Sequence, residues 1–265
     1  MKPYDLKIRK PKCAGRWYPY EKQTHKFEDN PLSSAVISPH AGFMYSGTVS
    51  LEAVSSVKKN RVWIFGTSHY EDISGGISIY YGNYLTSIGK AVFPKDLSMK
   101  DFGIVKKYLS DEGHRTEEHS VENVLYCLNH FKKEVTALCC LVRINNENDF
   151  ENISDDIASV WGKDDSIIVS TDWNHFVSTD IIDELMKESA AYLEKGDIPS
   201  LYRKCKEGSI EACGIGGLYL AYNILLRTNQ KTTFKILTST DSSKPEFGVG
   251  RLISGTCVGY ISARN

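Results

Sequence analysis

No stretch of this chain approaches the roughly 18 consecutive apolar residues that a membrane-crossing helix needs. Its first residues, M-K-P-Y-D-L-K, lack the apolar centre of an export signal. The expectation is a cytoplasmic protein without membrane insertion. An excess of one charge is also missing: 32 basic against 33 acidic residues leave a formal net charge of -1. That balance argues against nucleic acid or an anionic membrane as the main partner. Basic runs such as residues 7–12 (K-I-R-K-P-K) are short and read as a solvated N-terminal arm. No linker or low-complexity run divides the 265 residues, which favours one α/β domain, 1–265, over two small ones. No repeat of roughly 20–50 residues is visible either. Seven cysteines, an odd number in a chain without an export signal, read as thiols rather than a disulfide framework. Cys127, Cys139, Cys140 and Cys257 sit among apolar residues, where a thiol is a small core side chain.

What the chain does have is a repeated strand-to-turn pattern ending in imidazoles. Residues 35–37 (A-V-I) read as a buried strand that Ser38-Pro39 breaks, because proline has no amide to donate. His40 follows, then Gly42 and an amphipathic run over 48–58. Residues 61–65 (R-V-W-I-F) form a second such strand, and Gly66-Thr67-Ser68-His69 ends it. Residues 76–92 alternate and break at Gly82-Asn83, which predicts a hairpin. A helix over 97–110 is opened by Asp96 or Ser98 and closed by Gly113. Val121, Val124, Leu125, Leu128 and Phe131 fall at helical spacing, placing His119 and Glu122 near a first turn. Strands over 136–142 and 166–170 alternate with helices over 149–160, 181–193, 198–206 and 218–227. The fourth strand ends in T-D-W-N-H (171–175), and strands over 232–237 and 252–261 close the chain. This alternation predicts a largely parallel sheet covered on both faces, with an antiparallel addition.

Open α/β sheets place ligands just beyond the carboxyl ends of their strands. His40, His69, His119 and His175, with Asp172, gather at predicted strand ends or helix starts. His25, His114 and His130 lack that context and read as surface histidines. Cys213 precedes Gly-Ile-Gly-Gly at a helix N-terminus, where the dipole and free amides favour a thiolate. The G-x-G-G is too short for a dinucleotide fingerprint, and no strand leads into it. Two neutral imidazoles and one thiolate make a three-ligand set with open positions, suited to Fe(II), copper or Zn rather than Mg or Ca. Asp172 and His175 then suit an orienting carboxylate and a general acid/base, and Glu118 and Glu122 beside His119 suit similar work. Trp17 and Tyr18 beside Arg16 pack on the domain surface or line a pocket.

Six strings occur together in order: A-G-R-W-Y-P (14–19), S-P-H-A-G-F-M-Y-S-G (38–47), G-T-S-H (66–69), E-E-H-S-V-E (117–122), S-T-D-W-N-H-F (170–176) and C-G-I-G-G (213–217). In them the chain resembles the Memo family (mediator of cell motility, also AmmeMemoRadiSam system protein B), over essentially its whole length. That family is similar in fold to class III extradiol dioxygenases, non-haem Fe(II) enzymes of the LigB type. The resemblance implies a three-layer α/β/α sandwich with a mostly parallel or mixed central sheet. It implies His40, His69 and Cys213 as metal ligands, Asp172 and His175 as pocket residues, and His119 and Glu118 at the border of the same cleft. His175 stands like the dioxygenases' acid/base histidine. The dioxygenases carry a carboxylate as third ligand where this family has Cys, so ring-opening activity does not follow from the shared fold. Gly217, where relatives often carry Pro, and Met44 adjust the local backbone or wall without removing a ligand.

Three functions follow as expectations. The first is a metal-dependent redox protein holding Fe(II) or copper and acting on a small molecule or O2, with roles in redox signalling, metal homeostasis and cell motility implied by the resemblance. The second is an adaptor using Arg16, Trp17, Tyr18 and the pocket histidines to bind phosphotyrosine peptides. The third is Zn-assisted hydrolysis with His175 as base.

Overall fold

The computed structural model describes residues 6–58, 60–95, 97–144, 146–244 and 256–265. Its strands are β1 (Lys7–Arg9), β2 (Ala35–Ser38), β3 (Arg61–Thr67), β4 (Ile77–Ile79), β5 (Gly82–Leu85), β6 (Lys90–Val92), β7 (Glu134–Val142), β8 (Asp165–Ser170), β9 (Trp173–Val177), β10 (Lys235–Asp241) and β11 (Cys257–Arg264). The helices are α1 (Phe43–Ser55), α2 (Met99–Val105), α3 (Ser120–Leu128), α4 (Glu147–Ser159), α5 (Thr179–Lys195), α6 (Ile198–Lys206) and α7 (Ile215–Arg227).

Among the described residues the strands form one mixed sheet in the order β1-β5-β6-β7-β3-β8-β2-β11-β10. Its centre, β7-β3-β8-β2, is parallel throughout. β11 continues it antiparallel to β2, and β10 lies outside β11. β7 shares one edge between two partners, β6 along its first half and β4 along its last residues.

The central strands are apolar at nearly every position because alternate residues face two different cores. Trp63, Phe65, Leu138, Cys140, Ile167 and Val169 pack with α4–α7. Val62, Ile64, Ala137, Cys139, Leu141 and Ile168 pack with α1 and α3 on the opposite face. The result is a helix–sheet–helix sandwich, as the alternation of elements predicts.

Several boundaries differ from the sequence reading. Helix α1 starts at Phe43, not at 48, with Gly42 as its N-cap. The alternating stretch 76–92 splits: β4 joins β7, and the hairpin is β5–β6, turning at residues 86–89 rather than at Gly82-Asn83. Gly82 instead meets β1, where a Cβ would lie 2.1 Å from the Lys7 carbonyl oxygen. Helix α2 starts from Ser98, whose side chain accepts from the Asp101 amide, and gives way to a 3-10 turn at Lys106–Tyr108. Asp96 lies outside the described residues, as do residues 252–255 of the closing strand expected over 252–261. β9 and β1 are strands that periodicity missed, being only five and three residues long.

The largest correction concerns the N-terminal arm. Arg9 is 3% exposed and forms an ion pair with Glu122, itself fully buried, while its guanidinium lies 4.2 Å from the centre of the Tyr84 ring. Arg9 also donates to the carbonyls of His114 and Glu118. A buried cation with these partners is part of the core, not a solvated arm. His114 and His130 are buried as well, at 1% and 4%, and only His25 keeps partial exposure.

Candidate metal centre

The parallel centre of the sheet sets the site. His40, His69 and Asp172 are each the second residue past the end of a strand, β2, β3 and β8 respectively. These three strands are neighbours, so their carboxyl ends bring the side chains to one edge. Cys213 arrives from the other side, just ahead of α7. Its amide donates to the Asp172 carbonyl at 3.3 Å, and its carbonyl accepts from Thr67 Oγ1 at 2.8 Å. Gly214 makes this approach possible, because a Cβ there would stand 2.4 Å from the Ser170 carbonyl oxygen.

His40 Nε2 lies 3.4 Å from Cys213 Sγ. Ligand atoms of His40, His69 and Cys213 all fall within 4.8 Å of one another. Tetrahedral coordination with metal–sulfur and metal–nitrogen bonds of the usual lengths separates N and S by about 3.5 Å. The donor set therefore fits one transition-metal ion.

Both imidazoles are held in the tautomer that coordination needs. Ser170 Oγ spends its only hydrogen on the Ser120 carbonyl at 2.7 Å, so it accepts from His40 Nδ1, also at 2.7 Å. Glu118 accepts from His69 Nδ1 at 3.0 Å. With Nδ1 so engaged, Nε2 is the nitrogen each ring turns toward Cys213, and the one whose lone pair a metal would take in place of a proton. Glu118 additionally accepts the amides of His69, His119 and Ser120 at 2.6, 2.8 and 2.8 Å. Burial opposes its charge, yet the His69 bonds and the nearby imidazoles hold the carboxyl well below the usual range. With about four lone-pair positions on a carboxylate, Glu118 has none left for an ion. The nearby set His69, Glu118 and His119 thus reads as a support for the first site, not a second one.

Burial alone would raise the Cys213 thiol. The charge of His40 and bonds from His175, His40 and His69 overcome this and hold it far below the ordinary thiol value. Asp172 fixes the turn after β2 by accepting the amides of His40 at 2.8 Å and Ala41 at 3.3 Å. His119 caps α3 and is sandwiched: its ring stacks on Trp17 at 3.8 Å and on His69 at 4.7 Å. Burial first, then the charge of His40, keeps it neutral, with its titration lowered to about 3.

The structure brings His40, His69, Cys213, Asp172, His175, His119, Glu118 and Trp17 into one neighbourhood. Arg16 is at the surface, paired with Glu117 at 2.6 Å where both are well exposed. Tyr18 is 3% exposed and donates its hydroxyl to Glu122 at 2.7 Å, and it also borders the groove that Arg16 and Trp17 line. Glu122 does not orient a site histidine. It anchors the N-terminal segment by binding Arg9, Tyr18 and the amides of Lys12 and Cys13.

Sequence reasoning missed Ser170 and Glu211. Glu211 Oε2 accepts the His175 amide at 3.0 Å, and its Oε1 lies 3.2 Å from His175 Nδ1. Asn174 Oδ1 accepts the Glu211 amide at 3.0 Å, which locks β9 to this segment. His175 sits between Asn174 and Phe176, both at positive φ (47° and 57°). Strain of this kind on a non-glycine backbone is concentrated at functional sites. Positive φ leaves no mark in composition, but the position of Glu211, two residues ahead of Cys213, was a usable signal.

Two imidazoles and a thiolate converging beyond the ends of parallel strands define an α/β protein with a candidate metal site. The chain belongs to the Memo family: the family model described as Memo-like protein matches residues 9–262. Among curated proteins it is similar to a MEMO1 family protein of Methanosarcina mazei, 26% identical over 255 residues, covering 90% of this chain and 94% of that one. A MEMO1 family protein of Thermoplasma volcanium is 23% identical over 243 residues, covering 84% and 88%. One from Nitrosopumilus maritimus is 25% identical over 233 residues, covering 80% and 84%.

Proposed function

We propose that the chain is a redox protein that binds one Fe(II) or copper ion through His40, His69 and Cys213 and acts on a small molecule or O2. The observation that carries this reading is the 3.4 Å approach of His40 Nε2 to Cys213 Sγ, with His69 beside them and the Nδ1 of both imidazoles already engaged. When bound, such an ion supplies one-electron exchange with a coordinated molecule. The chain's own residues do the rest. Ser170 and Glu118 orient the ligands, and Asp172 fixes the turn that carries His40. His175, raised to about 10 against burial by its bonds to Cys213 and Glu211, is the proton donor at the thiolate side. Roles in redox signalling, metal homeostasis and motility belong to the same proposal, as does a cytoplasmic location. No helix among the described residues is long and apolar enough to cross a membrane.

Anaerobic titration with Fe(II), Cu(I) and Zn(II), on the wild type and a folded Cys213→Ala variant, tests it. One equivalent of Fe(II) or Cu(I) should bind tightly and be lost in the variant. A preference for Zn(II) would favour hydrolysis with His175 as base. Absence of binding in the wild type sinks the proposal. A second reading then gains weight, because a groove of about 470 Å³ lined by Arg16, Trp17, Phe43, Met44 and Tyr45 opens beside the site. That groove would take a phosphotyrosine peptide, with affinity independent of metal.

A further inference from the structure

A separate cavity of about 440 Å³ shares no residue with the metal ligands, and its size is that of a small-molecule site. Five stretches of chain build it: β1, the turn after β4, α2, the 3-10 turn that follows, and the loop over 109–115. Tyr81, Phe102 and Leu109 line its apolar part. Tyr81 is held edge-on between Phe93 at 5.0 Å and Phe102 at 6.1 Å, so this surface is set before any ligand arrives. Three cations, Lys7, Lys106 and Arg115, stand around it against one acid, Asp111. Asp111 already holds two of them, accepting from Lys7 and, at 2.9 Å, from Arg115. Asp111 neutralises one charge of that pair, so Lys7 and Arg115 together keep one positive charge in excess at the cavity. The Lys7 and Arg115 side chains are 55% and 77% exposed, long enough to turn an amine or guanidinium inward while their stems stay on the apolar wall.

We infer that this cavity binds a small amphipathic anion: a carboxylate or sulfonate on an aliphatic or aromatic body. The head group meets Lys7 and Arg115 through charge-assisted hydrogen bonds, and the body lies on Tyr81, Phe102 and Leu109. Three cations without a longer basic stripe do not suit a nucleic acid. The site does not depend on the metal proposal.

The test uses the full chain and anilinonaphthalene sulfonate as a fluorescent probe. It should bind one saturable site, and octanoate should displace it at least about tenfold better than octylammonium of the same length. Lys7→Gln with Arg115→Gln should weaken octanoate by about tenfold or more, whereas Cys213→Ser should leave it unchanged. Octanoate should also shift the methyl NMR signals of Leu109 in the wild type, which keeps the test decisive if the double variant misfolds. Equal competition by octylammonium, an unaltered double variant, or unmoved Leu109 signals would each overturn the assignment.

Discussion

Glu118 and His69 form one unit. The imidazole Nδ1 donates to Oε1 at 3.0 Å while the backbone amide of the same histidine donates to Oε2 at 2.6 Å. The carboxylate thus fixes both the ring and the turn that carries it. Changing Glu118 to Gln replaces a four-fold acceptor by a group with one acceptor oxygen. Metal affinity should fall about 10–100-fold, the usual effect of losing a partner that orients a ligating histidine. Competitive titration against a chelator measures it, and an unchanged Kd would show that His69 needs no such support.

Glu211 and His175 make a parallel prediction on the thiolate side. In the metal-free protein the His175 titration, followed by its ring-proton NMR shift, should lie well above 6.5, because the contacts to Cys213 and Glu211 outweigh the burial that lowers it. Glu211→Gln should bring it down while leaving the metal stoichiometry intact. If the midpoint stays where it was, Glu211 is a surface acid with no hold on the ring.

The central strands were legible because a strand covered on both faces needs apolar residues on both, and the middles of β2, β3, β7 and β8 are continuous apolar runs. His40 and His69 were legible because Pro39 and the G-T-S-H string mark where those strands stop. Their supports were not. Ser170 reads as the last residue of a strand, and nothing local shows that its hydroxyl meets the Nδ1 of a histidine 130 positions away. Arg9 was read as a solvated charge and Glu122 as a partner of His119 for the same reason: only the fold brings these residues, 113 apart, into one buried pair. Gly214 shows the reverse case: the string C-G suggested a helix start, but the need for glycine comes from the Ser170 carbonyl, which is remote in sequence.

That buried pair carries a stability prediction. Glu122→Ala would leave Arg9, the Tyr18 hydroxyl and the Cys13 amide without their common acceptor. Removing one partner of a buried ion pair typically costs about 3–5 kcal/mol. Denaturant unfolding should show a loss of that size, and Tyr18→Phe a loss of about 1 kcal/mol, since it deletes one hydrogen bond and keeps the ring. A near-neutral Glu122→Ala would mean that solvent reaches the Arg9 guanidinium.

His114 predicts how stability depends on pH. Burial lowers its folded-state titration from 6.5 to about 4, the bond to the Ser78 carbonyl only partly opposing this. Between those two values the unfolded chain binds a proton that the folded chain refuses. Stability therefore rises with pH across this window and is complete above 6.5. A shift of that size corresponds to about 3 kcal/mol, lost in full only below the folded-state value. The other histidines add their own slopes, so the informative quantity is the difference between wild type and His114→Gln, measured by denaturant unfolding between about pH 4 and pH 7. The wild type should lose more stability than the variant as pH falls through this window, whatever their offset at neutral pH. Parallel curves would show that the folded protein protonates His114 without cost, and that the ring is wetter than its 1% exposure implies.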